Sequence, residues 1–245
     1  MTTPAIKLWY GYRVMFETSI FPHSKPAAGG SYSRRNGGTS ITVTGQIPYG
    51  SYARILLLWL CTQAVIKKAM RIKFPPVAHL LDQLGIAKHG KLVTAIKEQM
   101  QLIEQATITC KRGHQQFNFY KVDDDGYFTL SGAFFSKLCS APVPVDLTSL
   151  ASIRKSTLAM DLLLYLSYRL PKIAVDESVE IGLDLLGQQL GADYGRARDF
   201  HGAIRDALVH VKAIYPAANA ELFTDHLRLM YSLPHVQKVL ELEMQ

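Results

Sequence analysis

The segment Leu56-Leu57-Leu58-Trp59-Leu60 returns as Leu162-Leu163-Leu164-Tyr165-Leu166, and Gln83-Leu84-Gly85 returns as Gln189-Leu190-Gly191. Both pairs are offset by 106 positions, so the same gap separates the two motifs in each half. One leucine-rich echo arises readily by chance, but two in register point to a duplicated module. A duplicated small helical unit suits the reading of extended or repeated targets better than it suits chemistry. With 245 residues, 48% of them apolar, the chain can give each copy its own core.

Walking the chain gives each copy the same order. Ile6 to Ile20, rich in β-branched and aromatic residues, reads as strand, and residues Phe21 to Gly38 read as a Pro/Gly/Ser loop with a basic knot at Arg34-Arg35. Ile41 to Thr44 reads as a short strand, and Ser51 caps a helix to about Lys68. Met70 to Phe74 alternates like a strand; Pro75-Pro76 opens a second helix that Gly85 closes. A third helix follows from about Lys91 to Gln105, and Thr107 to Cys110 and Phe117 to Val122 read as paired strands around Gly113. Phe128 to Asp146, with Pro142 and Pro144, reads as the link. In the second copy, after a short capped turn or helix at Asp146 to Ile153, Ser156 caps a helix to Leu170, and Ile173 to Ile181 is extended. Leu183 to Leu190 ends at Gly191, Gly195 to Ile214 is a long helix, and a hairpin closes the copy around Thr224-Asp225-His226. Helix, strand, helix, helix, hairpin is the order of a winged helix. The expected fold is therefore mainly α with small β-hairpins (α+β), as tandem winged-helix domains. Residues 1–140, with an extension over 1–48, would form the first domain and 141–245 the second.

Charge separates the two halves. Residues 1–140 carry 17 Lys and Arg against 7 Asp and Glu, and residues 141–245 carry 10 against 13. A basic half suits a polyanion, although a solvated basic surface would give the same count. In a winged helix the third helix enters the major groove. On that helix of the second copy Phe200, Ile204, Ala207, Leu208 and Val211 follow the 3.6 period, while Arg198, Arg205 and Lys212 recur every seven residues on roughly the opposite side. Arg pairs bidentately with guanine, and Arg or Lys neutralises phosphate; Arg196 and His201 on the same segment join the candidate DNA-binding set. Gly195 and Gly202 would each weaken such a helix, so either close DNA approach or tight packing would explain them. Asp199 and Asp206 share the exposed side, which leaves an ordinary charge-mixed surface open. The first copy presents Lys91, Thr94 and Lys97, a face short of arginine that fits phosphate contact or self-association. Arg34 and Arg35 complete the candidates.

Chemistry finds little foothold. Gly85-Ile86-Ala87-Lys88-His89-Gly90-Lys91 imitates a phosphate loop, but position 92 is Leu where a magnesium-binding Ser or Thr is needed, and the segment follows a helix instead of a strand. The eight histidines form no H-E-x-x-H, and Cys/His spacing fits no zinc site. Asp123-Asp124-Asp125-Gly126 reads as a turn. No catalytic residues, metal or cofactor are expected. Cys61, Cys110 and Cys139 read as reduced thiols, with Cys61 in the core. Met1 to Tyr10 lacks the apolar core of a signal peptide, and Ile55 to Cys61 is too short to span a bilayer, so a cytoplasmic protein without membrane contact is expected.

The stretch Ile47-Pro48-Tyr49-Gly50-Ser51-Tyr52-Ala53-Arg54-Ile55-Leu56-Leu57-Leu58-Trp59-Leu60 resembles the signature of the RepA family of plasmid replication initiators. Pro22-His23 and Tyr32-Ser33-Arg34-Arg35-Asn36-Gly37 resemble its amino-terminal motifs, and Met160 to Leu170, Gln189-Leu190-Gly191 and Phe200 resemble its second conserved block. The resemblance implies a non-enzymatic bacterial protein with two winged-helix domains that binds double-stranded DNA at direct repeats (iterons) of a plasmid origin. It implies opening of adjacent A·T-rich DNA, recruitment of the host initiator ATPase and replicative helicase, and binding as a homodimer to its own promoter for autorepression. A winged-helix transcriptional repressor without a replication role is the alternative reading.

Overall fold

The computed structural model describes residues 8–27, 30–191 and 194–236. Strand β1 (Leu8–Gly11) leads into a one-turn helix α1 (Val14–Glu17), so the expected strand over Ile6 to Ile20 is broken by a helix, and Ile6 itself lies outside the described residues. Val14, Met15 and Phe16 are all buried, and α1 packs on the second half of the chain. Tertiary burial thus overrides their β propensity. The expected loop over Phe21 to Gly38 contains strand β2 (Tyr32–Asn36), which pairs antiparallel with β3 (Thr39–Gly45) around Gly37 at φ 54°. Only Tyr32 of β2 is buried, which leaves the strand without a hydrophobic signature.

Helix α2 (Gly50–Lys67) is followed by β4 (Arg71–Lys73), α3 (Val77–Leu84) and α4 (Gly90–Glu104). Pro76 precedes α3, and Gly85 ends it in the left-handed region at φ 64°, as the sequence requires. Strands β5 (Ala106–Arg112) and β6 (Gln115–Asn118) then extend the amino-terminal hairpin into a four-stranded sheet of order β2-β3-β5-β6. The expected hairpin around Gly113 exists, but it divides at Phe119. Beyond that residue β7 (Tyr120–Val122) turns at Asp123–Gly126 into β8 (Tyr127–Leu130), and these two strands join β4 in order β4-β8-β7. Asp123 anchors this turn: its Oδ1 accepts from the amides of Asp125 and Tyr127, and Arg71 donates to its Oδ2 at 2.8 Å.

The expected link from Phe128 to Asp146 is structured. After β8, helix α5 (Gly132–Ser140) starts at Ser131, whose Oγ accepts from the Phe134 amide. Strand β9 (Val143–Asp146) pairs with β1, and its Pro144 sits in a two-stranded ribbon where a missing donor is tolerated. Helices α6 (Leu147–Ser152) and α7 (Thr157–Arg169) follow, then β10 (Ser178–Gly182), α8 (Leu183–Leu190), α9 (Ala197–Ile214), β11 (Ala220–Leu222) and β12 (His226–Met230). The last three strands form a sheet of order β10-β12-β11. The architecture is mixed α/β. In each half a helix, a strand and two helices follow in order, then four strands in the first half and two in the second, and the strand between the helices pairs with the last strand.

One apolar cluster runs through both halves. At their junction Ser51 Oγ and Thr157 Oγ1, which are 106 positions apart, lie 3.1 Å from each other at the starts of α2 and α7. One turn further in, Arg54 of α2 forms a bidentate pair with Asp161 of α7, at 2.5 Å from Nε to Oδ1 and 2.8 Å from Nη2 to Oδ2. Both side chains are 4% exposed. His23 Nε2 approaches Asp161 Oδ2 at 2.9 Å, and Arg54 also donates to Ser19 Oγ and to the carbonyls of Phe21 and Gly50. Burial pushes the Asp161 carboxyl up, but the charge of Arg54 and hydrogen bonds from His23 and Arg54 outweigh it and hold the pKa below the usual value. Burial likewise raises the Cys61 thiol to about 12, in keeping with a core cysteine.

Candidate nucleic-acid interface

Helix α9 is amphipathic. Phe200, Ile204, Ala207, Leu208 and Val211 are buried, and α9 packs on α7 and α8. The helix begins at Ala197, so Gly195 precedes it and carries no helix penalty. Gly202 lies within it, and a Cβ there would meet nothing within 4 Å, which removes tight packing as the reason for glycine. Arg198, Arg205 and Lys212 are exposed on the opposite side, and Arg196 is exposed at the N-cap. Arg198 and Arg205 each lie 3.5 Å from the neighbouring Asp199 and Asp206, with the arginine side chains 75% and 65% exposed. Such solvated pairs hold a guanidinium weakly and leave it available to a stronger acceptor.

His201 is half-buried, and its Nε2 donates to the Phe223 carbonyl at 3.2 Å. Arg198 and His201 line an open groove whose far wall is the hairpin turn at Thr224 and Asp225. The first turn of α9 and the β11–β12 hairpin therefore present a continuous surface.

Arg34 and Arg35, distant from α9 in sequence, come close to it in space. Both line one cleft with Arg196 and Phe200. Strand β2 packs on α8: Thr18 Oγ1 and the Ser19 amide donate to the Gln189 carbonyl, and Tyr32 and Arg34 close over Gly191. The Arg34 guanidinium sits 4.4 Å from the Tyr32 ring centroid, and Arg35 is exposed beside it. The amino-terminal basic knot is thus carried to the second half by a strand that sequence patterning does not reveal.

Lys91, Thr94 and Lys97 are exposed on α4, where the His89 imidazole caps the helix by accepting from the Leu92 amide. Thr94 Oγ1 donates to the Gly90 carbonyl, which ties its hydroxyl back to the helix. These three residues form their own face and are not among the walls of the two clefts above. The Gly85-to-Lys91 lookalike joins two helices. Among the described residues no cluster of His, Cys, Asp and Glu is placed to hold a metal ion, and no helix is long and apolar enough to cross a membrane.

Residues 88–182, from the approach to α4 through β10, match the family described as plasmid encoded RepA protein. That match covers less than half of the chain. The matched segment spans the junction between the two halves and includes the carboxylate half of the Arg54–Asp161 pair. Among solved structures, crystals of domains 2 and 3 of RctB are similar. A selenomethionine form aligns over 90% of this chain and 99% of its own, with 13% identity and a TM-score of 0.56. A second crystal structure of the same domains covers 89% and 96%, at 13% identity and a TM-score of 0.52. At that identity the likeness concerns the fold. No curated protein sequence matches the chain.

Sequence reasoning missed the Arg54–Asp161–His23 cluster. The signal was available: one cation and one anion each stand directly before a leucine-rich run, and isolated charges at such places are paired when buried.

Proposed function

We propose that the chain is a plasmid replication initiator that binds directly repeated duplex sites at an origin through two winged helices, one in residues 1–140 and one in 141–245. The observation that carries this reading is the α9 surface. An exposed Arg198, Arg205 and Lys212 stripe backs onto a buried apolar face, beside a hairpin placed as a wing. Such a helix presents guanidinium groups to base edges while its hairpin meets the flanking backbone. Gly202, with open space where a side chain would project, allows the sugar-phosphate backbone to come close. Arg34, Arg35 and Arg196 extend the basic surface at the α9 N-terminus, and Lys91, Thr94 and Lys97 offer phosphate contacts from α4. His201, braced against the hairpin, positions the wing.

Two linked readers on one duplex cover roughly two turns, about 20 bp, and their phosphate contacts make affinity fall steeply with salt. By kinship with RepA, the bound protein opens adjacent A·T-rich DNA and recruits the host initiator ATPase and helicase in the bacterial cytoplasm. A homodimer of the same chain represses its own promoter. The deciding experiment supplies the gene in trans to a plasmid that carries only the cognate origin. Maintenance of that plasmid is expected. A protein that binds the repeats tightly yet never sustains replication would be a repressor, and the initiator reading would fall.

A further inference from the structure

A cleft of about 640 Å³ lies between the amino-terminal sheet and the second half of the chain. One wall is the end of the sheet, where the Asn36–Gly38 turn and Arg112 meet; the other is α7, β10 and α8, which contribute Tyr165, Arg169 and Gln189. The two turns of the sheet abut, since the Gly113 amide donates to the Gly38 carbonyl. None of the surfaces discussed above uses this cleft.

Its polar groups are poorly satisfied. Among the described residues, the side chains of Arg112 and Arg169 have neither a hydrogen bond nor an ion pair. Arg13 reaches in from α1's N-cap with a buried Nε that lacks an acceptor, and Glu17 is its nearest anion at 3.8 Å. The second carboxylate, Glu180, is taken by Arg228 at 3.1 Å. Gln189 is 5% exposed, and its Oε1 is buried without a donor. That orientation is fixed by a chain of bonds: the Asn36 amide nitrogen donates to the Glu17 carbonyl, so Asn36 Oδ1 must accept from Gln189 Nε2.

The echo of this position in the first half makes the missing protein donor informative. Gln83 is the counterpart of Gln189, and its Oε1 accepts from Trp59 Nε1 at 2.9 Å. Trp59 corresponds to Tyr165, which gives Gln189 no such donor and instead lines the cleft. A buried acceptor without a partner is destabilising, so a site that keeps one is poised for a ligand that brings the donor.

We propose that this cleft binds a nucleotide unit, with the phosphate held by Arg112, Arg169 and Arg13 and a hydroxyl or amino donor of the sugar or base received by Gln189 Oε1. Three guanidiniums supply charge-assisted bonds to phosphate oxygens, and the volume lies within the range of small-molecule sites. The unit is either a free nucleotide or one residue of a single strand, since both offer the same phosphate and donor. Because the walls come from both halves, occupancy ties the sheet to the second half. The proposal stands apart from duplex reading by α9.

Calorimetric titration of the full chain with ATP, inorganic phosphate and a ten-residue oligo-dT tests it. ATP or the oligonucleotide is expected to bind saturably. Arg112→Ala and Arg169→Ala, at exposed positions where the melting temperature checks the fold, are each expected to weaken that binding about 10- to 100-fold. Arg198→Ala and Arg205→Ala leave it unchanged, which separates this site from the duplex surface. Displacement of ATP by oligo-dT at lower concentration assigns the site to a strand, and the reverse assigns it to a free nucleotide. Three results overturn the proposal: neither ligand binds, inorganic phosphate competes as well as ATP, or binding survives both cleft substitutions.

Discussion

The third helices of the two halves, α4 and α9, sit at the same place in the same order of elements and present different chemistry. Helix α9 exposes arginines at intervals of seven beside a hairpin, whereas α4 exposes Lys91, Thr94 and Lys97, with the Thr94 hydroxyl folded back onto Gly90. The second helices differ in their surroundings as well. The end of α3 at Gly85 faces open space, while the end of α8 at Gly191 is covered by Tyr32, Arg34 and Ser19 from the amino-terminal segment. One half therefore carries the added sheet, and the other is gripped by it. A common order of elements fixes where a helix lies, and surface residues decide what it can touch.

The strongest way to break this comparison is to cut the joint between the halves. Asp161→Asn leaves Arg54 as a buried cation with a weakened partner, and such losses cost about 3–5 kcal/mol. Denaturant unfolding is expected to show that loss in a single transition, because one apolar cluster spans both halves. Two separated transitions would mean the halves fold independently. The joint also predicts acid behaviour. The folded Asp161 carboxyl titrates below its usual 3.8, so its contribution is complete above that value and is lost as pH falls through the folded pKa. The acid limb of the stability curve should flatten in Asp161→Asn.

The two glycine caps give the next effect. Gly85 and Gly191 both hold left-handed backbone, at φ 64° and 68°. Alanine at Gly85 meets nothing within 4 Å and should cost about 1–2 kcal/mol from backbone strain alone. Alanine at Gly191 adds a clash with the Tyr32 hydroxyl, and the extra overpacking should bring the cost to about 2–4 kcal/mol. Thermal melts of the two variants compare them directly. Equal losses would show that β2 yields easily, and that its arginines are held near α9 only loosely.

Much of this contrast was visible in the sequence. The helices followed from apolar period, the Gly85 and Gly191 caps and the Pro76 start, because each signal is local. What escaped was pairing at long range. Strand β2 reads Tyr-Ser-Arg-Arg-Asn with one buried residue, so nothing local distinguishes it from loop. The stretch Phe117 to Val122 alternates like one strand, yet it serves two sheets, because the Phe119 amide bonds to the Ile108 carbonyl and the chain then turns to meet β8. Periodicity gives a strand's faces and is silent about its neighbour. For the same reason Arg34 and Arg35 were recognisable as basic but not as neighbours of Arg196.

The smallest expected effects separate the two third helices as DNA contacts. If α9 reads bases, Arg198→Ala and Arg205→Ala should each cost about 1–3 kcal/mol on the cognate repeat and little on scrambled duplex, so the ratio between them narrows. If α4 touches only phosphate, Lys91→Ala and Lys97→Ala should weaken both duplexes alike. Each should also reduce the slope of log affinity against log salt by about 1. Fluorescence anisotropy on the two duplexes across a salt series measures both quantities at once. The fold gives no reason for the roles to be fixed in this order, since each helix follows a helix, a strand and a second helix. The assignment rests on arginine's bidentate geometry, which matches guanine O6 and N7 where a lysine presents a single point of charge. Loss of discrimination on changing α4 and not α9 would reverse the roles, leaving the arginine stripe as the backbone grip.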